Sequence, residues 1–233
     1  MTDDPVLHGI RAIVFDAVGT VIHPLPPAPV LYAEVGRRFG SNRIAAEIAP
    51  RFIAAFARAE AIDYANGLRT GETREIERWR RIVGQVLDDV RDQDACFLEL
   101  FEHFSRPEAW RCDPDAAATI ETLAQRGYAL GMASNYDQRL RSVVAGLPAL
   151  RPLQHLIISS EVGWRKPAPQ FFLAVCRAFD LIPERILYVG DDLANDFEGA
   201  RAAGLRSVLL DPKGKHQGHE PPPIRALREL AAS

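Results

Sequence analysis

The chain has 233 residues, with 28 Lys and Arg against 31 Asp and Glu for a formal net charge of −3, and 47% of its residues are hydrophobic. At roughly 150 residues per domain this length predicts one large domain, or a domain carrying a sizeable insertion. The charge balance offers no basic field for nucleic acid or an anionic membrane, and the composition is that of a globular chain rather than a disordered or membrane one. A catalytic or binding domain is the expectation. Cys96, Cys112 and Cys176 form no CxxC pattern and lie too far apart for a disulfide framework or a zinc site. Residues 1–16 hold only the short apolar run 12–15, so the reading is a cytoplasmic protein without a signal peptide or a membrane span.

Residues 10–15 (IRAIVF) are expected to form a buried strand ending at Asp16, because a short apolar run before a glycine-containing turn is the pattern of a parallel-sheet strand. Four more such runs follow, at 128–133, 155–160, 185–189 and 206–210, with stretches of helical period between most of them. Strands alternating with helices predict an α/β fold with a doubly wound parallel sheet. Helices are expected over 114–126, opened by Pro114 and closed by Gly127, over 168–181, over 194–203 before Gly204, and over 223–231. Between the first strand and residue 112 there is no convincing strand. After a proline-rich entry, Ile44, Ile48, Phe52, Ala55, Phe56, Ala59 and Ile62 recur at helical spacing, as do Ile76, Trp79, Val83, Val86 and Val90. Such stripes can line a ligand groove, but packing between the insert's helices is the expectation. The division is therefore a core of residues 1–22 and 112–233, with a helical cap inserted over 23–111.

In an open parallel sheet, ligands bind beyond the carboxyl ends of the strands, where loops converge. There the sequence places Asp16-Ala17-Val18-Gly19-Thr20, Ser134-Asn135, Lys166 in GWRKP, and Gly190-Asp191-Asp192 with Asp196 nearby. Carboxylates converging on one crevice repel each other and need a cation, either a hard metal or Lys166. Oxygen-only donors favour magnesium over zinc.

Together these segments resemble the four motifs of the haloacid dehalogenase superfamily of aspartyl-nucleophile hydrolases: FDAVGT, MASN, the lysine of GWRKP, and VGDDLANDFEGA. SNYDQRL and ERWRRIV are similar to its rhythmically-expressed-gene branch. The resemblance implies a Rossmann-like core, a mobile cap after motif one, and a hydrolase that forms an aspartyl-phosphate on Asp16 from a small phosphorylated metabolite. It further implies magnesium held by Asp16, the Val18 carbonyl and Asp191. Asp196 would bind the metal through water or orient Lys166, and Asp192 would cap the following helix. Thr20, Ser134, Asn135 and Lys166 would hold the phosphoryl group, with Lys166 also acting in catalysis.

The sequence departs from this pattern at Val18. Phosphatases of the family carry a second aspartate there, which protonates the leaving group and later activates water; dehalogenating members carry tyrosine. Valine does neither, so metal binding through the backbone is expected to survive while acid–base catalysis, worth roughly 10²- to 10⁴-fold, is lost. Two alternatives follow: a non-catalytic descendant that binds a phosphorylated ligand or a protein, and a 2-haloacid dehalogenase. The retained acidic motif argues against the latter, which dispenses with a metal. His23 and Tyr136 are the nearest replacements for the missing acid, and structural roles are expected for both. His216 and His219 are read as part of a solvated loop.

Overall fold

The computed structural model describes residues 6–216 and 218–232. Its centre is β1 (Ala12–Phe15), all four residues of which are buried. β1 pairs in parallel with β4 (Ala129–Ser134) on one side and β6 (Ile186–Gly190) on the other. Outside these lie β5 (His155–Ile158) and β7 (Arg206–Leu209), giving the order β5-β4-β1-β6-β7.

Both faces of the sheet are covered, which explains the unbroken apolar runs. Ile13, Phe15, Leu130 and Met132 point into one cluster, shared with Ile120 and Leu123 of α5 (Pro114–Gln125) and with Leu140 and Val143 of α6 (Arg139–Gly146). The alternate residues Ala12, Val14 and Tyr188 enter a second cluster with Phe171, Phe172 and Val175 of α8 (Pro169–Phe179). The short helix α7 (Ser159–Val162) takes the last two residues of the run expected as a strand over 155–160.

Four helices follow the first strand: α1 (Ala28–Arg38), α2 (Ala45–Ala65), α3 (Glu72–Val86) and α4 (Gln93–His103). They enclose their own cluster, which includes Leu31, Val35, Ile48, Ile82, Val86 and Leu100. The stripe on α2 serves two purposes. Ile48, Ala55 and Ala59 are buried, but Phe52 and Phe56 also face a cavity, and Ile44 is 57% exposed. The chain leaves and re-enters the core through two three-residue strands, β2 (Ile22–Pro24) and β3 (Trp110–Cys112), paired antiparallel. Neither was expected, since three residues are too short to display an alternation.

Two further expectations are corrected. Residues 193–198 form a π-helical turn before α9 (Gly199–Ala202), in place of one regular helix. The tail forms only a 3₁₀ turn over Leu227–Leu230, because Leu227 and Leu230, three apart, both enter the core. No helix among the described residues is long and apolar enough to cross a membrane. Cys96, Cys112 and Cys176 are free thiols.

The helical insert is tied to the core along residues 68–70 and 163–165, and again where Glu72 accepts from the Ser160 hydroxyl and from Gln138 N–H. Arg165 N–H donates to the Leu68 carbonyl at 2.9 Å and Thr70 N–H to the Gly163 carbonyl at 3.1 Å, while the Arg69 guanidinium stacks on Trp164 at 4.8 Å. Beneath this strip the Arg165 side chain pairs with Glu75 and lies 3.4 Å from Asp63, which also binds Arg78 at 2.8 Å. Glu75 accepts from the Thr70 hydroxyl at 2.6 Å. Glu75, Arg78 and Arg165 are all buried, so removing one member strands an unpaired charge. Glu75→Ala is expected to lower the unfolding free energy by about 3 kcal/mol in urea titrations, and a loss below about 1 kcal/mol would mean that the network carries no such weight.

Candidate functional site

Three adjacent strands, β4, β1 and β6, deliver their carboxyl ends side by side, about 4.8 Å apart. The chain leaves β1 towards β4 and β5 and later returns to β6 and β7 on the opposite side, so this is the point where the winding direction changes. Asp16 follows β1 with its N–H on the Val189 carbonyl at 2.8 Å, and Ser134 ends β4. Asp191 follows β6. Lys166 comes from the loop before α8 and is 3% exposed.

The bonds among these groups are short and specific. Oδ1 of Asp16 accepts from Lys166 Nζ at 2.6 Å and from the Ser134 hydroxyl at 3.0 Å. The same ammonium donates to Asp196 Oδ1 at 2.5 Å. Asn135 clamps the backbone of Lys166 at both ends: its Oδ1 accepts from Lys166 N–H at 2.7 Å, and its Nδ2 donates to the Lys166 carbonyl at 3.1 Å. The Asn135 side chain is thus committed to positioning the lysine.

Two glycines let the acidic loops close in. Gly19 has φ +100°, and a Cβ there would sit 2.6 Å from the Asp191 carboxylate; one on Gly190 would sit 2.2 Å from Asp196 Oδ2. The π-helical turn carries Asp196 back towards Gly190, where its Oδ2 accepts from Asp192 N–H at 3.1 Å. Asp192 itself caps that turn, accepting from Asn195 N–H at 2.8 Å.

Asp16, Asp191 and Asp196 each offer an oxygen within 4.8 Å of the others. Burial, reinforced by the charge of Asp16, pushes the Asp191 carboxyl up to about 6, although the Thr20 hydroxyl and Lys166 oppose it. Burial pushes Asp196 up to about 7, against the pull of Lys166. Burial also disfavours the Lys166 charge, but Asp16 and Asp196 overcome it and hold the ammonium well above the usual lysine range. Three carboxylates against one ammonium leave two negative charges unbalanced when all are ionised. The all-oxygen donor set and that excess fit a divalent hard cation such as magnesium.

These groups form the floor of a cavity of about 550 Å³ that extends to the helical insert. Asp16, Val18, Ser134, Asn135, Lys166, Asp191 and Asp196 all line it. Thr20, expected to contact substrate, does not. Its hydroxyl donates to Asp191 Oδ1 at 3.0 Å, and only 2% of the residue is exposed, so it steadies a carboxylate instead. Val18 is 37% exposed. His23 turns away to Asp113, at 3.9 Å, beside a separate polar depression. Tyr136 is buried on the cavity wall ahead of α6, with Trp110 and Arg139 against its ring. His219 packs on Phe197 at 4.8 Å and its Nδ1 lies near the Pro221 carbonyl, while His216 N–H binds Asp211. They do not form a metal pair.

Arg139 and Arg165 were not anticipated as cavity residues, and Phe52, Phe56 and Trp79, for which helix packing was the expectation, also wall the cavity. The available signal was the Phe52–Phe56 pair, four apart on a helix otherwise rich in alanine.

A haloacid dehalogenase-like hydrolase profile matches residues 10–204. The haloacid dehalogenase-like hydrolase domain-containing protein 3 of Bos taurus is 28% identical over 207 residues, covering 86% of this chain and 82% of its own. The phosphoserine phosphatase of Thermus thermophilus is 27% identical over 245 residues, covering 95% and 98%. Among solved structures, the putative HAD-hydrolase YfnB from Bacillus subtilis bound to magnesium superimposes with a TM-score of 0.75 at 17% identity, covering 95% of this chain and 96% of that one. With the family profile spanning most of its length, the chain belongs to the haloacid dehalogenase-like hydrolases.

Proposed function

We propose that this hydrolase is a magnesium-dependent phosphatase acting on a small phosphorylated substrate through an aspartyl-phosphate on Asp16. The observation that carries the reading is the grip on Asp16, whose Oδ1 takes both Lys166 and Ser134 beside two further carboxylates. Phosphatases among the relatives support the same chemistry.

In this reading Asp16, the Val18 carbonyl and Asp191 would hold magnesium, with Asp196 beside them, and the ion would supply positive charge against the phosphoryl oxygens. Oδ2 of Asp16 has no hydrogen-bond partner among the described residues, which leaves it free to attack phosphorus. Lys166 and Ser134 stand where they stabilise charge developing on the phosphoryl oxygens. Asn135 fixes the lysine's backbone and Asp196 fixes its ammonium, so both groups position rather than react. Val18 has no proton to give, and the leaving group departs as an anion.

That exposed valine also favours a second reading, a binding protein that takes phosphorylated ligands without turning them over. A phosphorylated Asp16, trapped by acid quench after incubation with acetyl phosphate and magnesium and located by peptide mass spectrometry, separates the two. It is expected in the wild type and absent from Asp16→Asn; its absence from both would leave the binding reading. Retention of the acidic residues weighs against dehalogenation, because three carboxylates without a cation are electrostatically costly.

Val18→Asp restores a carboxyl at the exposed position and is expected to raise kcat on alkyl phosphates roughly 10²- to 10⁴-fold. An unchanged kcat would place the acid–base group elsewhere.

Metal binding should also follow pH. Because the Asp191 and Asp196 carboxyls are raised to about 6 and about 7, the ionised forms are reached only as pH climbs through those values, and protons compete with metal below them. The magnesium-induced rise in melting temperature is expected to be full near about pH 8 and to fade below about pH 6. A rise independent of pH would remove these carboxylates from the metal site.

A further inference from the structure

The two ends of the cavity differ in chemistry. The sheet end is polar, with Asp16, Ser134, Lys166 and Asp191, whereas the insert end is walled by Tyr32, Phe52, Phe56 and Trp79, closed off by Phe104 and Trp110. These rings form a continuous surface. Tyr32 meets Phe52 edge-on at 5.4 Å, Phe52 stacks on Phe56 at 6.1 Å, and Phe56 tilts against Trp79 at 6.2 Å. Ile53 adds an aliphatic side chain that is 70% exposed.

The charged groups on this wall are already engaged. Arg139 forks onto Asp137, at 2.7 Å from each nitrogen, and gives a further bond to the Phe101 carbonyl at 2.9 Å. Arg165 is bound by Glu75 and Asp63. Apart from Lys166, these are the cations that line the cavity among the described residues; Arg78, stacked behind Phe56 at 4.5 Å, does not line it and pairs with Asp63, so no lining cation is left for a second anionic group on the ligand. The remaining charge on the insert side is negative: Glu60, which accepts from Asn195 at 3.4 Å. Arg51 and Arg69 on the insert are spent on Asp88 and on Trp164, and Arg58 is exposed.

Size agrees with this chemistry. About 550 Å³ lies in the range that encloses a drug-sized molecule, far more than a phosphoryl group needs. The remaining volume is therefore shaped for the leaving group. That group must be tolerated by an apolar wall, carry no second negative charge, and depart without help from residue 18. A phenol meets all three conditions, since it ionises near pH 10, much more readily than an alcohol.

We infer that the cavity binds aryl phosphates, with the phosphoryl group at Asp16 and Lys166 and an uncharged aromatic ring against Phe52, Phe56 and Trp79. The inference deepens the phosphatase reading and rests on it for turnover, though not for binding. In the reaction, an Asp16 oxygen forms a bond to phosphorus, the phosphorus–aryl oxygen bond breaks, and the electron pair leaves with the aryloxide, which takes its proton from water. A water molecule then attacks phosphorus, and inorganic phosphate and the Asp16 carboxylate are released.

Two measurements test this on the intact protein with magnesium. Calorimetric titration with phenylphosphonate and methylphosphonate, neither of which turns over, is expected to show at least about tenfold tighter binding of the phenyl compound, the scale of one to two aromatic contacts. Equal affinities would overturn the aromatic subsite, whatever the protein catalyses. In kinetics, kcat/KM for phenyl phosphate should exceed that for glycerol 3-phosphate and for phosphocholine, and Phe56→Ala or Trp79→Ala should lower the ratio of phenyl phosphate to acetyl phosphate about tenfold. A preference for glycerol 3-phosphate would overturn the apolar assignment, and one for phosphocholine would assign the rings to a cation instead. Phenylphosphonate preference without any phosphoenzyme from acetyl phosphate would retain the subsite while refuting the phosphatase reading.

Discussion

Three carboxylates packed around one ammonium are the constraint on which the rest of this structure depends. Asp16 and Asp196 share Lys166, and Asp191 faces them with the Thr20 hydroxyl as its side-chain donor among the described residues. Such a cluster resists assembly, as the raised Asp191 and Asp196 carboxyls record, so the scaffold has to enforce it. β1 does so by lying between β4 and β6, with hydrogen-bonded neighbours on both edges. Gly19 and Gly190 remove the Cβ atoms that would hold Asp191 and Asp196 apart. The π-helical turn, an unfavourable geometry that often marks functional sites, swings Asp196 inward, and Asn135 fixes the lysine's backbone so that its ammonium cannot retreat.

The same cluster explains why the insert is latched where it is. Arg165 and Lys166 are consecutive, so the residue that locks the insert to the core adjoins the residue that balances the carboxylates. The latch and the charge balance are therefore adjacent in the chain. A closed insert lowers the local dielectric, and every interaction between Lys166 and its carboxylates strengthens as water is excluded.

Much of this was legible in the sequence because it is local. The strand ends could be read from apolar runs that stop at polar residues such as Asp16, Ser134 and Asp191, with Lys166 and Asp196 in the loops just beyond; all five line one cavity. What escaped depends on contacts distant along the chain. Thr20 looks like a substrate contact because it stands four residues after Asp16, but 171 residues separate it from the Asp191 oxygen it binds. The Phe52 and Phe56 stripe has the same period whether it faces neighbouring helices or a cavity, and only the position of the core beneath it decides. β2 and β3 exist because the chain must enter and leave the insert at one place, a topological demand that leaves no mark in six residues. The tail's Leu227 and Leu230 suit a helix or a 3₁₀ turn equally until the core they enter is known.

Val18 bears unequally on the two halves of the proposed reaction. In the first half the leaving group is part of the substrate, and a substrate whose oxygen is already a stable anion needs no proton. In the second half the nucleophile is always water, and no choice of substrate compensates for a missing base. For leaving groups that depart readily as anions, dephosphorylation of Asp16 then limits turnover in the proposed reaction, so kcat is levelled across such substrates while kcat/KM, which reports the steps up to the first irreversible one, still discriminates among them. A cavity that selects its ligand through aromatic walls and a reaction centre that cannot hurry its last step are thus compatible features of one site. In the proposed reaction, selectivity resides in binding and in the first transfer, and a persistent phosphorylated aspartate is the expected consequence of an apolar side chain where water would need a base.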